Sequence, residues 1–142
     1  MSLRKELLIG VFIAGVTASG IALAQGATTP RAPNPTAAKM KNPVAADAES
    51  IARGKKLYDA KCASCHKPNG SGAEGGPGES GPPPSSLIHD KLEYGQSDGE
   101  IFAITKNGVL PDLYMPMFEG VIKDNDIWDI VNYIQGTLRK KK

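Results

Sequence analysis

The sequence predicts an all-α fold of about three to five helices joined by long Gly/Pro-rich loops. Three observations carry that expectation. Apolar residues recur at helical spacing in two stretches, Ile51 to Tyr58 and Ile127 to Ile134. Ser97-Asp98-Gly99-Glu100 is a capping box, in which serine hydroxyl and glutamate carboxylate each satisfy a backbone N–H at a helix start. No credible strand and no internal repeat are present.

The 142 residues suffice for one domain. Arg4 and Lys5 open the chain, Leu7 to Ala24 is an uncharged, largely apolar run, and Ala22-Leu23-Ala24 is a small-x-small sequence before Gln25. Residues 1–24 therefore read as a secretory signal peptide. The alternative is an uncleaved membrane anchor, but Gly10, Gly15, Thr17, Ser19 and Gly20 dilute a run already near the minimum spanning length. Export would place the protein in the periplasm, where two cysteines oxidise to a disulfide unless other chemistry claims them. The formal net charge of +2 falls by one unit when Arg4, Lys5 and Glu6 are removed. With no single-sign field, composition gives no case for nucleic-acid binding. Membrane contact is expected only if the N-terminal segment stays uncleaved.

Residues 25–46 contain Pro30, Pro33, Pro35 and Pro43 among Ala, Thr and Asn, and read as an extended, largely disordered linker. The folded domain is expected over 47–139, with 140–142 part of a frayed basic tail that begins at Arg139. Asp47 is placed to cap the first helix. Ile51, Gly54, Leu57 and Tyr58 form its inner face, Arg53, Lys55, Lys56 and Asp59 its outer face, and it runs into Cys62. Lys67 to Ser86 is too rich in Gly and Pro for a regular element, and so long a loop needs a large flat object to wrap around. The helix after Ser97 carries Ile101, Phe102 and Ile104 and stops at Asn107-Gly108. The last helix spans Asp124 to about Leu138, with Ile127, Ile130, Val131 and Ile134 inward and Asp124 and Asp126 well placed in its first turn.

The flat object is named by Cys62-Ala63-Ser64-Cys65-His66, a C-x-x-C-H sequence that is the attachment signal for c-type haem. Two thiols three positions apart on one helical turn reach the two vinyl groups on one porphyrin edge. The adjoining imidazole then lies under the iron, and its Nδ1–H needs an acceptor. A thioredoxin-type C-x-x-C would need a βαβ context, and a zinc site would need four ligands. A plain disulfide leaves His66 and the Gly/Pro loop unexplained. A second axial ligand must come from far along the chain. Tyr114-Met115-Pro116-Met117-Phe118 offers Met115, a soft thioether on a loop stiffened by Pro116. Met117 is better read as gap-filling core, and His89, in a polar stretch, is the rival ligand.

In these features the chain resembles the single-domain class I cytochromes c of the bacterial periplasm. The resemblance covers about Ala48 to Leu138 and rests on four features in order. They are Cys62-x-x-Cys65-His66, the Gly/Pro loop to Leu87, Met115-Pro116-x-Phe118, and a final helix reading Ile127-Trp128-Asp129-Ile130-Val131-Asn132-Tyr133-Ile134. It implies a cytochrome c fold whose first and last helices cross near a right angle, Gly54 and Tyr58 meeting Ile130 and Tyr133. It also implies that a loop proline carbonyl, from Pro82, Pro83 or Pro84, accepts the His66 Nδ1–H, and that Tyr94 is a candidate contact for a haem propionate. Two departures are Lys67 where the family often has Gly, and Lys123 or Asp124 where it often has Ser or Thr capping the last helix.

The expected cofactor is thus one covalent haem c with its iron, held by Cys62, Cys65, His66 and Met115. The expected lining is Leu87, Leu92, Ile101, Phe102, Val109, Phe118 and Ile130, with Pro84 and Tyr94 at the rim. With both axial positions filled, the iron would have no site for substrate. The expected role is a one-electron carrier between periplasmic or membrane redox proteins rather than an enzyme. The other readings are a haem-c subunit of a larger oxidoreductase and, from another class, a ligand sensor with five-coordinate haem.

Overall fold

The computed structural model describes residues 34–72, 83–109 and 115–140. The signal-peptide expectation, Pro82 and the middle of the Gly/Pro loop lie outside the described residues. Every regular element among the described residues is helical. The helices are α1 (Pro35–Ala38), α2 (Ala48–Lys61), α3 (Ala63–His66), α4 (Asp98–Asn107) and α5 (Asp124–Tyr133), which continues into a π-helical turn at Ile134–Leu138. This is the all-α helical shell that the resemblance implied.

Local chemistry sets the helix ends. Asp47 caps α2 by accepting from Ser50 N at 2.8 Å, and both halves of the Ser97/Glu100 capping box form at α4. There the hydrogen bonds from the Ser97 backbone, with others from its hydroxyl and from Gln96, hold the Glu100 carboxyl below its usual range against the opposing effect of burial. Helix α4 stops at Gly108, whose φ of 67° suits a residue without Cβ. Lys123 precedes α5 without any side-chain cap.

Helices α2 and α5 cross through Gly54, where an added Cβ would overlap the Asp129 carbonyl oxygen. Beside that contact the Tyr58 and Tyr133 rings lie 5.2 Å apart at 56°. Tyr58, Ile127, Ile130 and Val131 are fully buried around it. Helix α4 joins this pair through Phe102, stacked on Trp128 at 4.0 Å and 13°. A polar lock closes the crossing. The buried Asp129 carboxylate accepts from Ser50 Oγ at 2.6 Å and from Arg53 Nε and Nη2 at 2.7 and 3.0 Å. Burial pushes that carboxyl up, but the hydrogen bonds from Arg53 and Ser50 outweigh it and hold it below the usual range.

Two segments differ from the sequence expectation. From Asn34 on, the expected linker is ordered against the helices. Ala37 is buried, its carbonyl abuts Gly99 on α4, and Asn42 Nδ2 donates to Asn132 Oδ1 at 2.7 Å and Trp128 O at 3.3 Å. Asn132 Nδ2 in turn donates to the carbonyls of Val44 and Ala45 at 3.2 Å. These are amide contacts, which leave no apolar period. Arg139, expected to fray, instead donates to the carbonyls of Leu87 and His89 at 3.4 and 3.1 Å.

Candidate haem-binding site

Helix α2 ends at Cys62, and its carbonyl restarts the chain as α3 by accepting from Cys65 N at 3.1 Å and His66 N at 2.9 Å. That single turn fixes both thiols and the imidazole relative to one another. Neither cysteine is in a disulfide. Burial pushes the Cys62 thiol up to about 11, with the Cys65 thiol adding to the shift.

His66 Nδ1 lies 2.9 Å from Ser85 O. A carbonyl can only accept, so Nδ1 carries the proton and Nε2 keeps its lone pair. Burial lowers the His66 pKa and the Ser85 carbonyl acts the other way, so the ring is kept neutral near pH 7 and able to ligate. Among the described residues the acceptor is thus Ser85 rather than Pro83 or Pro84. The reason is register: Leu87 N donates to Gly70 O at 2.7 Å, which pins the loop so that the Ser85 carbonyl meets the ring. Lys67, next to the histidine, adopts φ 62° and ψ 156°, a region almost confined to glycine. Its carbonyl is held there by Tyr58 Oη, which donates at 2.8 Å.

Met115 enters from the loop between α4 and α5. Its carbonyl accepts from Val109 N at 3.0 Å, and three residues on, Phe118 N and Glu119 N donate to Lys106 O at 3.0 and 2.9 Å. One cavity of about 360 Å³ collects Cys62, Cys65, His66 and Met115 together with Pro84, Leu87, Tyr94 and Phe118. Its wall is mostly apolar, closed by Leu92, Ile101, Val109 and Ile130. Burial, with Glu93 beside it, raises the Tyr94 pKa, so its hydroxyl stays protonated at neutral pH.

Other expectations do not hold. Phe102 does not line the cavity, because it stacks on Trp128 instead. Met117 is not core filler but 47% exposed. His89 is exposed and outside the cavity lining. Unforeseen wall residues are Tyr58, Lys61, Glu93, Ile104, Thr105 and Ile134. Ile104 and Ile134 continue the inner stripes of α4 and α5. Thr105 is masked by its polarity, yet its hydroxyl is satisfied by Ile101 O at 2.9 Å.

Two comparisons bear on this arrangement. Residues 49–134 match the family described as cytochrome c oxidase, cbb3-type, subunit III. The chain is also 36% identical over 92 residues to the gluconate 2-dehydrogenase cytochrome c subunit of Pantoea cypripedii, an alignment covering 59% of this chain. That alignment covers 20% of the relative, so the chain spans about a fifth of its length. The helical shell and the C-x-x-C-H turn define a c-type cytochrome. Within that class, the chain belongs to the cytochrome c family of the cbb3-type oxidase subunit III. It is therefore a haem-c electron-transfer protein with iron as its metal. The residues fit that group on their own chemistry: a buried unpaired thiol, a second thiol one turn on, a tautomer-fixed imidazole and a mostly apolar wall share one cavity.

Proposed function

We propose that this chain is a monohaem, one-electron carrier with His/Met axial ligation, exported to the periplasm and working between periplasmic or membrane redox proteins. In this reading Cys62 and Cys65 would form the thioethers to the haem, and His66 Nε2 and the Met115 thioether would hold its iron. Pro84, Leu87, Tyr94 and Phe118 enclose the ring. The single observation that supports it is the convergence of His66 and Met115, from opposite ends of the domain, on the wall of one apolar cavity.

Haem, when bound, supplies the ferric/ferrous couple. The chain's part is to hold that couple with little rearrangement. The Ser85 carbonyl fixes the imidazole plane through Nδ1–H, and the apolar wall excludes water. A thioether opposite histidine favours the ferrous state and raises the potential. With both His66 and Met115 as ligands, the iron would have no place for an external substrate.

Met115→Ala opens an axial position, so the reduced variant is expected to bind carbon monoxide readily, whereas wild type and Met117→Ala resist it. Equal resistance in all three contradicts the assignment. A second reading, a haem-c subunit of a larger oxidoreductase, is favoured by the relative named as a dehydrogenase cytochrome c subunit. Stoichiometric co-purification with a dehydrogenase from its native membranes would favour it, and recovery of the cytochrome alone would favour the carrier.

A further inference from the structure

The loop that carries Met115 is bracketed by one side chain. Lys106 Nζ, at the end of α4, lies 2.9 Å from both Asp124 oxygens at the first residue of α5 and 4.0 Å from Glu119 Oε1 on the loop itself. The same ammonium passes 5.8 Å from the Phe102 ring centroid. The Lys106 main-chain carbonyl meanwhile accepts from Phe118 N and Glu119 N. One residue thus ties the loop to α4 through its backbone and links α4 to α5 through its side chain. Lys106 and Asp124 also each lie at the helix end whose dipole favours their charge. Helix α5 has no side-chain N-cap from Lys123, so no serine or threonine cap shares that task. On the other side of the loop, Gly108 and Met115 are in close contact, and a Cβ at Gly108 would come within 2.6 Å of the Met115 carbonyl oxygen.

We propose that Lys106 is a positioning residue for the distal ligand: its ion pair with Asp124 and Glu119 holds the segment 115–123 against α4 and the cavity, and sets how readily an outside ligand displaces the thioether. The inference rests on Met115 as the distal ligand. Exposed ion pairs usually contribute little. This one has both carboxylate oxygens bonded, its lysine side chain is only 25% exposed, and it joins three segments. Breaking it changes the opening of the loop without touching any cavity residue.

The test uses the oxidised holoprotein and imidazole as the probe. Lys106→Gln is expected to bind imidazole about fivefold faster than wild type, near the limit of what an exposed pair can supply. Lys106→Arg, which keeps the charge, is expected to restore the wild-type rate. Raising salt should speed wild type and leave Lys106→Gln unchanged, because only wild type has a pair to screen. Lys55→Gln breaks the Lys55–Asp59 pair on α2, away from the loop, and should bind imidazole like wild type. A merely structural lysine would lower the unfolding midpoint and leave the binding rate alone, so equal rates in Lys106→Gln and wild type overturn the proposal. If wild type shows no sulfur-to-iron absorption band before imidazole is added, the Met115 reading is what fails, and the clasp fails with it.

Discussion

Lys67 occupies a backbone region that glycine adopts freely and other residues only under strain. The Tyr58 hydroxyl and the turn back to Gly70, whose N–H donates to the Lys67 carbonyl at 3.0 Å, hold it there. Lys67→Gly should relieve more strain than it adds in unfolded-chain entropy, a net gain of about 1 kcal/mol. A higher denaturation midpoint of the holoprotein is the expected result, with an unchanged spectrum. The buried Asp129 gives a second residue-scale test. Its carboxyl is depressed in the fold, so its stabilisation is complete above the ordinary unfolded value of about 3.9 and is lost as pH falls through the lower folded value. Asp129→Asn should therefore cost about 2 kcal/mol at pH 7 and little at acid pH, read from denaturant midpoints at both. That Cys62, Cys65, His66 and Met115 belong to one site was legible in the sequence, because their atoms have a chemistry that other residue types lack, and all four line the one cavity. Ser85 was not, since its contribution is a main-chain carbonyl and its register comes from a long-range bond to Gly70.

Among elements, the crossing of α2 and α5 organises the fold, and Gly54 sets how closely they approach. Gly54→Ala drives a methyl group into the Asp129 carbonyl, so the helices must separate, at a cost of about 3 kcal/mol. Calorimetry of the haem-loaded variant would show it as a clear fall in melting temperature; an unchanged melt would mean the crossing is looser than described. Caps and stripes were readable at this scale: Asp47, the Ser97/Glu100 box, the stop at Gly108 and the α5 stripe all follow from local rules. Two features were hidden. Residues 34–46 dock through Asn42 and Asn132 amides rather than an apolar face. The π-helical turn at Ile134–Leu138 shifts the end of α5, allowing Gly136 to approach Ile51 and Arg139 to reach the Leu87 loop.

At the scale of the whole molecule, the cavity belongs to no single element. Its wall draws on α2, α3, the Gly/Pro loop, α4, the Met115 loop and α5, so the described elements together enclose the space a haem c would fill. This is why the long loop was a useful signal: too poor in regular structure to fold alone, it implied an object to fold around. The lining was less legible, because Phe102 and Ile104 look equivalent in a helical pattern and only the docking of Trp128 separates them. In the proposed function His66 and Met115 would close the two faces of one haem. Absorption of the oxidised wild-type protein reads that ligation: the weak long-wavelength sulfur-to-iron band is expected, persisting at neutral pH, and a spectrum without it would rule out Met115 as the ligand.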